Sequence, residues 1–223
     1  FQRAAAGEPG PLWIMARRQT EGRGRSGRSW ASEAGNLHAS LLQKVACPPS
    51  CIHQLSLLAG VAVVDALRAA AGPGRLAGLR LKWPNDVLIG EAKCAGILPE
   101  STTGPGSQIT AVIGIGINLA WHPADLGRPA THLAAHGVEI TPEAMLERLA
   151  PAMARWLEAW DSGQGFAQVR TAWLARSGPI GERLTVNAGN ERIEGAFLDL
   201  ASNGALILRD NHGLQRQLMF GDV

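Results

Sequence analysis

The chain has 223 residues, 46% hydrophobic and 18% charged, the proportions of a globular protein and not of a disordered one. A net charge of +2 is too small to make nucleic acid the main partner, because phosphate-backbone binding needs a broad basic face. The length allows one sizeable core and a small second module.

The apolar stretch around residues 57–64 is interrupted by Ser56 and Asp65 and falls short of the roughly 20 residues that a bilayer span requires. No signal peptide is visible, and no membrane partner is expected. Cys47, Cys51 and Cys94 are odd in number and lack zinc-like spacing, so they read as reduced thiols of a cytoplasmic protein. The histidines are scattered without a metal-binding pattern, so no metal site built by the protein alone is expected.

Two apolar, strand-like stretches, 12–16 and 37–42, flank the run Gly22-Arg23-Gly24-Arg25-Ser26-Gly27-Arg28-Ser29-Trp30. Glycine lets backbone N–H groups approach a ligand closely, and each guanidinium offers a rigid fork of donors to phosphate or carboxylate. The run reads as an anion-gripping loop on a folded scaffold. On its own it leaves open a solvated basic loop or an RGG-like nucleic-acid segment.

Pro49 and Ser50 precede an alanine-rich apolar segment that ends at Gly72-Pro73-Gly74, which predicts a helix over 51–71. Residues 79–82 then read as a strand, Trp83-Pro84-Asn85-Asp86 as a turn, and 87–89 with 93–98 as a hairpin about Gly90-Glu91. Residues 109–117 alternate β-branched residues with Gly114 and Gly116, the mark of a buried strand crowded by a ligand or a neighbouring backbone. Thr141 caps a helix whose apolar stripe, Met145, Leu146, Leu149, Met153, Trp156, Leu157 and Trp160, belongs to the core. After Gly178-Pro179 come short β-like runs over 183–186, 192–198, 205–209 and 214–220. They are parted by turns at Gly189-Asn190, Asn203-Gly204 and Asn211-His212-Gly213, as in a small barrel.

Four motifs stand in order: the glycine-arginine run, Lys82-Trp83-Pro84-Asn85-Asp86, Lys93 with Gly96-Ile97-Leu98 and Glu100, and Gly114-Ile115-Gly116-Ile117-Asn118. In this order and spacing the sequence resembles the biotin protein ligases, with their GRGRRGRxW, KWPND, KxxGIL and GxGIN motifs. The resemblance implies an α+β fold: a catalytic domain over 1–177 with a mixed β-sheet backed by helices, and an SH3-like barrel over 178–223. It implies activation of biotin by ATP to biotinyl-5′-AMP, then transfer to a lysine of the biotin carboxyl carrier protein of acetyl-CoA carboxylase. ATP and Mg²⁺ are the implied co-substrate and its metal, no prosthetic group is expected, and a homodimer stays open.

By resemblance the catalytic residues are Lys93, Arg25 and Asp86. Gln19, Gly22, Arg23, Gly24, Arg25, Lys93 and Gly96 bind biotin, and Arg28, Trp30, Lys82, Asn85 and Asn118 border the nucleotide. Asp86 either contacts Mg²⁺ or orients the acceptor lysine. The family's Ser-Thr-Asn segment, which helps hold biotin's ureido group, is expected upstream of Phe1. The biotin site is therefore expected to be either incomplete or completed by preceding sequence. No winged-helix domain precedes the catalytic segment, so DNA-dependent repression is not expected. A lipoate protein ligase is the competing enzyme reading, and a nucleic-acid-binding protein using the arginine loop is the competing reading from another class.

Overall fold

The computed structural model describes residues 2–104, 108–124, 127–189 and 191–223; Phe1 and Asn190, both named above, lie outside them. Six strands form one sheet: β1 (Leu12–Ala16), β2 (Leu37–Val45), β3 (Leu79–Lys82), β4 (Asp86–Ile89), β5 (Ala92–Thr103) and β6 (Ile109–Ile117). Their order is β1-β2-β6-β5-β4-β3. Neighbouring strands pair antiparallel throughout, and the parallel pairing is confined to isolated bridges, Leu81 with Ser177 and Lys93 with Ala130.

Alternation along β6 decides the two faces of this sheet. Ile109, Ala111, Ile113, Ile115 and Ile117 are buried, while Gly114 and Gly116 fall on the alternate positions. The buried face is covered by α2 (Gln54–Ala71), itself buried on nearly every side between the sheet, α3 (Pro142–Trp160) and α4 (Phe166–Leu174). Gly60 permits the close approach of α2 to β3, since a Cβ there would stand 3.0 Å from Leu81 Cδ2.

The segment Pro49–Ala71, 23 residues long, does reach the length and apolarity of a membrane-crossing helix, contrary to the expectation from 57–64 alone. Most of it is buried inside the fold, so its apolarity serves the core. It begins with a 3-10 turn, Pro49–Cys51, and stops at Gly72, whose φ of 75° is one that side chains resist. Thr141 caps α3 as expected, its Oγ1 accepting from Ala144 N at 3.2 Å, and Met145, Leu149, Met153 and Trp160 of the predicted stripe are buried. The short helices α1 (Gln2–Ala5) and α4 were not foreseen.

One ion-pair network ties the helices together. The Asp65 carboxylate of α2 accepts from Trp156 Nε1 at 2.9 Å, from Arg155 at 3.0 Å and from Arg176 at 2.7 Å. Burial alone would raise its pKa, yet the donors from Trp156, Arg176 and Arg155 hold it below the usual 3.8. A carboxylate whose folded pKa is depressed contributes fully above its unfolded pKa and loses that contribution as pH falls through the folded value. Asp65→Ala is therefore expected to lower unfolding stability by about 3 kcal/mol at pH 7, with the gap from wild type closing below pH ~4. Urea titrations at both pH values measure it.

The chain ends in a second antiparallel sheet of β7 (Arg183–Ala188), β8 (Glu191–Leu200), β9 (Leu206–Asp210) and β10 (Gln215–Leu218), ordered β10-β9-β8-β7. Among the described residues β10 is not paired to β7. The chain instead turns at Gly221, and Asp222 bridges to Asn187 on β7. The strand expected over 214–220 is confined to β10. Arg80 of β3 bonds Glu182 at 2.8 Å, and Trp83 Nε1 reaches Gly204 O at 3.4 Å, so the small sheet is fastened beside the turn that holds Asn85 and leads into Asp86 of β4.

Candidate active site

The glycine-arginine run is closed by its own backbone. Gly24 N donates to Arg28 O at 2.7 Å, Trp30 N to Gly22 O at 2.9 Å, and Arg23 bridges to Ser29. Gly22 is required by this closure: a Cβ there would meet Trp30 O at 2.4 Å. The hairpin juts over the sheet face opposite α2 and encloses a cleft of about 520 Å³.

Gln19, Arg23, Gly24, Arg25, Arg28, Trp30, Asn85, Asp86, Lys93 and Gly96 all line this cleft. Gly22 stays behind it as the clasp of the hairpin. Lys82 and Asn118 also lie outside. Lys82 faces Asp86 across the β3–β4 register but sits beyond the cavity. Asn118 follows the end of β6 and turns away, its Nδ2 donating to Thr131 O at 3.0 Å and its carbonyl accepting from Leu133 N. It anchors the segment after β6.

Lys93 and Asp86 form the floor. β4 and β5 bring them side by side, with side chains only 8% and 12% exposed, and the Lys93 ammonium donates to Asp86 Oδ1. Burial pushes the Lys93 pKa below its ordinary value; Asp86 opposes that shift, and the nearby Arg128 and Arg28 add to it. The neighbouring Cys94 thiol is pushed by burial up to about 12, which removes it as a nucleophile.

The glycines seen in sequence have a definite neighbour. A Cβ at Gly116 would lie 2.5 Å from the Trp30 ring, and one at Gly96 would lie 3.0 Å from both that ring and Lys93 Nζ. The crowding inferred for β6 thus comes from a side chain: the Trp30 indole lies along a glycine trough with Lys93 Nζ 5.4 Å from its ring centroid. Its Nε1 is buried without a hydrogen-bond partner.

Two charged residues of the site were not singled out in the sequence. Arg128, on the segment after β6, reaches Asp86 Oδ2 at 3.1 Å. Asp222 pairs with Arg25 at 3.2 Å and with Arg28, while Arg25 also donates to Gly221 O at 3.0 Å and contacts Asn85 Oδ1 at 3.4 Å. Neither lies in a motif, and 194 residues separate Arg28 from Asp222.

Buried ammonium, arginine-bearing hairpin and glycine-floored trough together define an anion-handling ligand site of the kind used to activate a carboxylate. Residues 5–118 match the biotin/lipoate A/B protein ligase family, and residues 180–223 match the biotin protein ligase C terminal domain. The chain is 43% identical over 219 residues to a biotin--[acetyl-CoA-carboxylase] ligase of Paracoccus denitrificans, covering 95% of this chain and 89% of that one. It is 32% identical over 209 residues to a bifunctional ligase/repressor of Bacillus subtilis, covering 91% of this chain but 63% of that one. Its structure superposes on the biotin protein ligase of Aquifex aeolicus in complex with biotin and ATP with a TM-score of 0.77 at 27% identity, covering 94% and 86% of the two chains. The chain belongs to the biotin protein ligase family.

Proposed function

We propose that this chain is an ATP-dependent biotin protein ligase that joins biotin to the AMP part of ATP, releasing pyrophosphate, and passes it to a lysine of the biotin carboxyl carrier protein. The observation that carries the proposal is the cluster in the cleft: a buried Lys93 ammonium on the floor, with Arg25 and Arg28 facing it from the hairpin. The Paracoccus relative named for this activity and the Aquifex complex with both small substrates support it.

In the first step an oxygen of the biotin carboxylate forms a bond to the α-phosphorus as the bond to the bridging oxygen of pyrophosphate breaks. Anion meets anion, and the barrier falls when fixed cations neutralise both and hold them in line. Lys93 bridges the two groups, Arg25 and Arg28 take phosphate charge, and Gln19 offers biotin a polar contact. Gly24, Arg23 and Gly96 enclose biotin, while Trp30 and Asn85 border the nucleotide. In the second step the neutral acceptor amine attacks the anhydride carbonyl, AMP leaves, and the new amide nitrogen gives up its proton. Before that attack the acceptor ammonium gives one proton to water, and Asp86 orients it through Oδ1, the oxygen released when Lys93 turns to the substrate, while Arg128 stays on Oδ2. The proton later lost by the amide nitrogen also passes to water.

The residues present do not fit a protein-built Mg²⁺ site. Both oxygens of Asp86 are taken by cations, and no group of three His, Cys, Asp or Glu side chains converges among the described residues. Mg²⁺ enters this reading as part of the substrate MgATP. The same proposal divides the chain at 177/178 into a catalytic and a small domain and places it in the cytoplasm, in keeping with unpaired Cys47, Cys51 and Cys94.

The test incubates the protein with MgATP, a biotin carrier domain, and radiolabelled biotin or lipoate. Labelling of the carrier lysine with biotin, and at least tenfold less with lipoate, is expected. Equal or preferential lipoate transfer, or no label from either acid, refutes the proposal.

A further inference from the structure

We propose that Arg128 is a positioning residue that acts through Asp86 to free Lys93 for the incoming anion, an inference that rests on the adenylating function proposed above. Asp86 is shared between two cations, with Lys93 Nζ on Oδ1 and Arg128 Nη1 on Oδ2 at 3.1 Å. The backbones that carry these cations are stitched together. Lys93 N donates to Pro129 O and Thr131 N donates to Lys93 O, each at 2.9 Å, while Asn118 Nδ2 holds Thr131 O at 3.0 Å. Arg128 therefore stands at a fixed place beside the ion pair, at the mouth of the cleft, with its side chain 42% exposed.

Lys93 has three N–H donors, but its single charge is shared with Asp86, so it grips a substrate carboxylate or phosphate at full strength when its hold on Asp86 loosens. A carboxylate that is 12% exposed carries a steep penalty when its only cation leaves. Arg128 removes that penalty: it stays on Oδ2 while Oδ1 gives up Lys93, so Asp86 is never left uncompensated. A guanidinium suits this task, because it remains charged at every working pH and approaches the carboxylate from its own side. Without Arg128, Asp86 holds Lys93 undiluted and the exchange of partners becomes slow.

Biotin-dependent ATP–pyrophosphate exchange by the full chain tests this, with Arg128→Ala, Arg128→Gln, Arg128→Lys and Asp86→Asn, and with Arg128→Ala combined with Asp86→Asn. Arg128→Ala and Arg128→Gln are expected to lose about tenfold in kcat, with KM for ATP and biotin within about twofold of wild type, and Arg128→Lys to regain most of the rate. In the Asp86→Asn background, Arg128→Ala is expected to cost less than about twofold further. A tenfold loss in both backgrounds, a wild-type rate for Arg128→Gln, or a loss carried by the KM for ATP alone overturns the proposal; the last would make Arg128 a direct phosphate contact. A wild type that exchanges no pyrophosphate with biotin refutes the function above and not this coupling. The coupling is then read from the urea midpoints of the same variants, where additive losses overturn it and non-additive losses support it.

Discussion

Lys93→Ala is expected to lower biotin-dependent ATP–pyrophosphate exchange by about 10² to 10³, the usual loss when one preorganised charge partner is removed. The side chain is 8% exposed and points into the cleft, so water cannot replace its charge at the reacting atoms. Loss of fold is not the expected cause. Asp86 keeps Arg128 when Lys93 is gone, so the carboxylate is not stranded, and Lys93→Met, which fills the same space without charge, is expected to be as slow as alanine. Arginine is expected not to rescue, because Gly96 and the Trp30 ring already crowd the ammonium. The working form of Lys93 is its ammonium, and burial holds the pKa below the ordinary 10.5. The alkaline fall in rate is therefore expected to begin below pH 10.5, since the amine becomes neutral as pH rises through its folded pKa. Unchanged exchange by Lys93→Ala in a quenched pyrophosphate assay refutes its role.

What the sequence disclosed, and what it withheld, divides along the distance between interacting residues. The alternation in β6 revealed both a core face and a glycine face, because side-chain period is a local property. The α3 stripe and its Thr141 cap were legible for the same reason. The length of β5 was not: it runs to Thr103, six residues of its second half paired with β6, where only 93–98 carried a hairpin signal. Asn118, placed beside the nucleotide by resemblance, bonds Thr131 O just past the end of β6 at Ile117, a contact that the motif does not encode. Trp30 was expected beside a nucleotide, and its position on the floor of Gly96 and Gly116 needed the loop's closure, which no spacing encodes. Arg128 and Asp222 are ordinary surface-type residues in sequence, and only the folded backbone makes them counter-ions of the site.

Arg25→Ala is expected to approach the loss caused by Lys93→Ala, about 10² to 10³ in exchange, for a reason that joins both sheets. Arg25 is tied to Asn85 of the β3–β4 turn and to Gly221 O and Asp222 of the small sheet, with its side chain 24% exposed. Its guanidinium is thus held before any substrate arrives, and a preorganised cation stabilises developing charge without reorganisation. The Asp222 carboxylate meanwhile offsets part of the charge that Arg25 and Arg28 present to phosphate. Asp222→Asn keeps the backbone bridge to Asn187 and leaves Arg25 its two neutral acceptors. It is therefore expected to lower the KM for ATP by about threefold at low salt, with kcat little changed and the gain fading as salt screens the arginines. Exchange kinetics for both variants at two salt concentrations decide the matter. If Asp222→Asn loses as much kcat as Arg25→Ala, then the carboxylate, and not the neutral acceptors, sets the position of Arg25. If Arg25→Ala keeps the wild-type rate, the hairpin's charge is carried by Arg28 and Arg23, and the link between the two sheets plays no part in the chemistry.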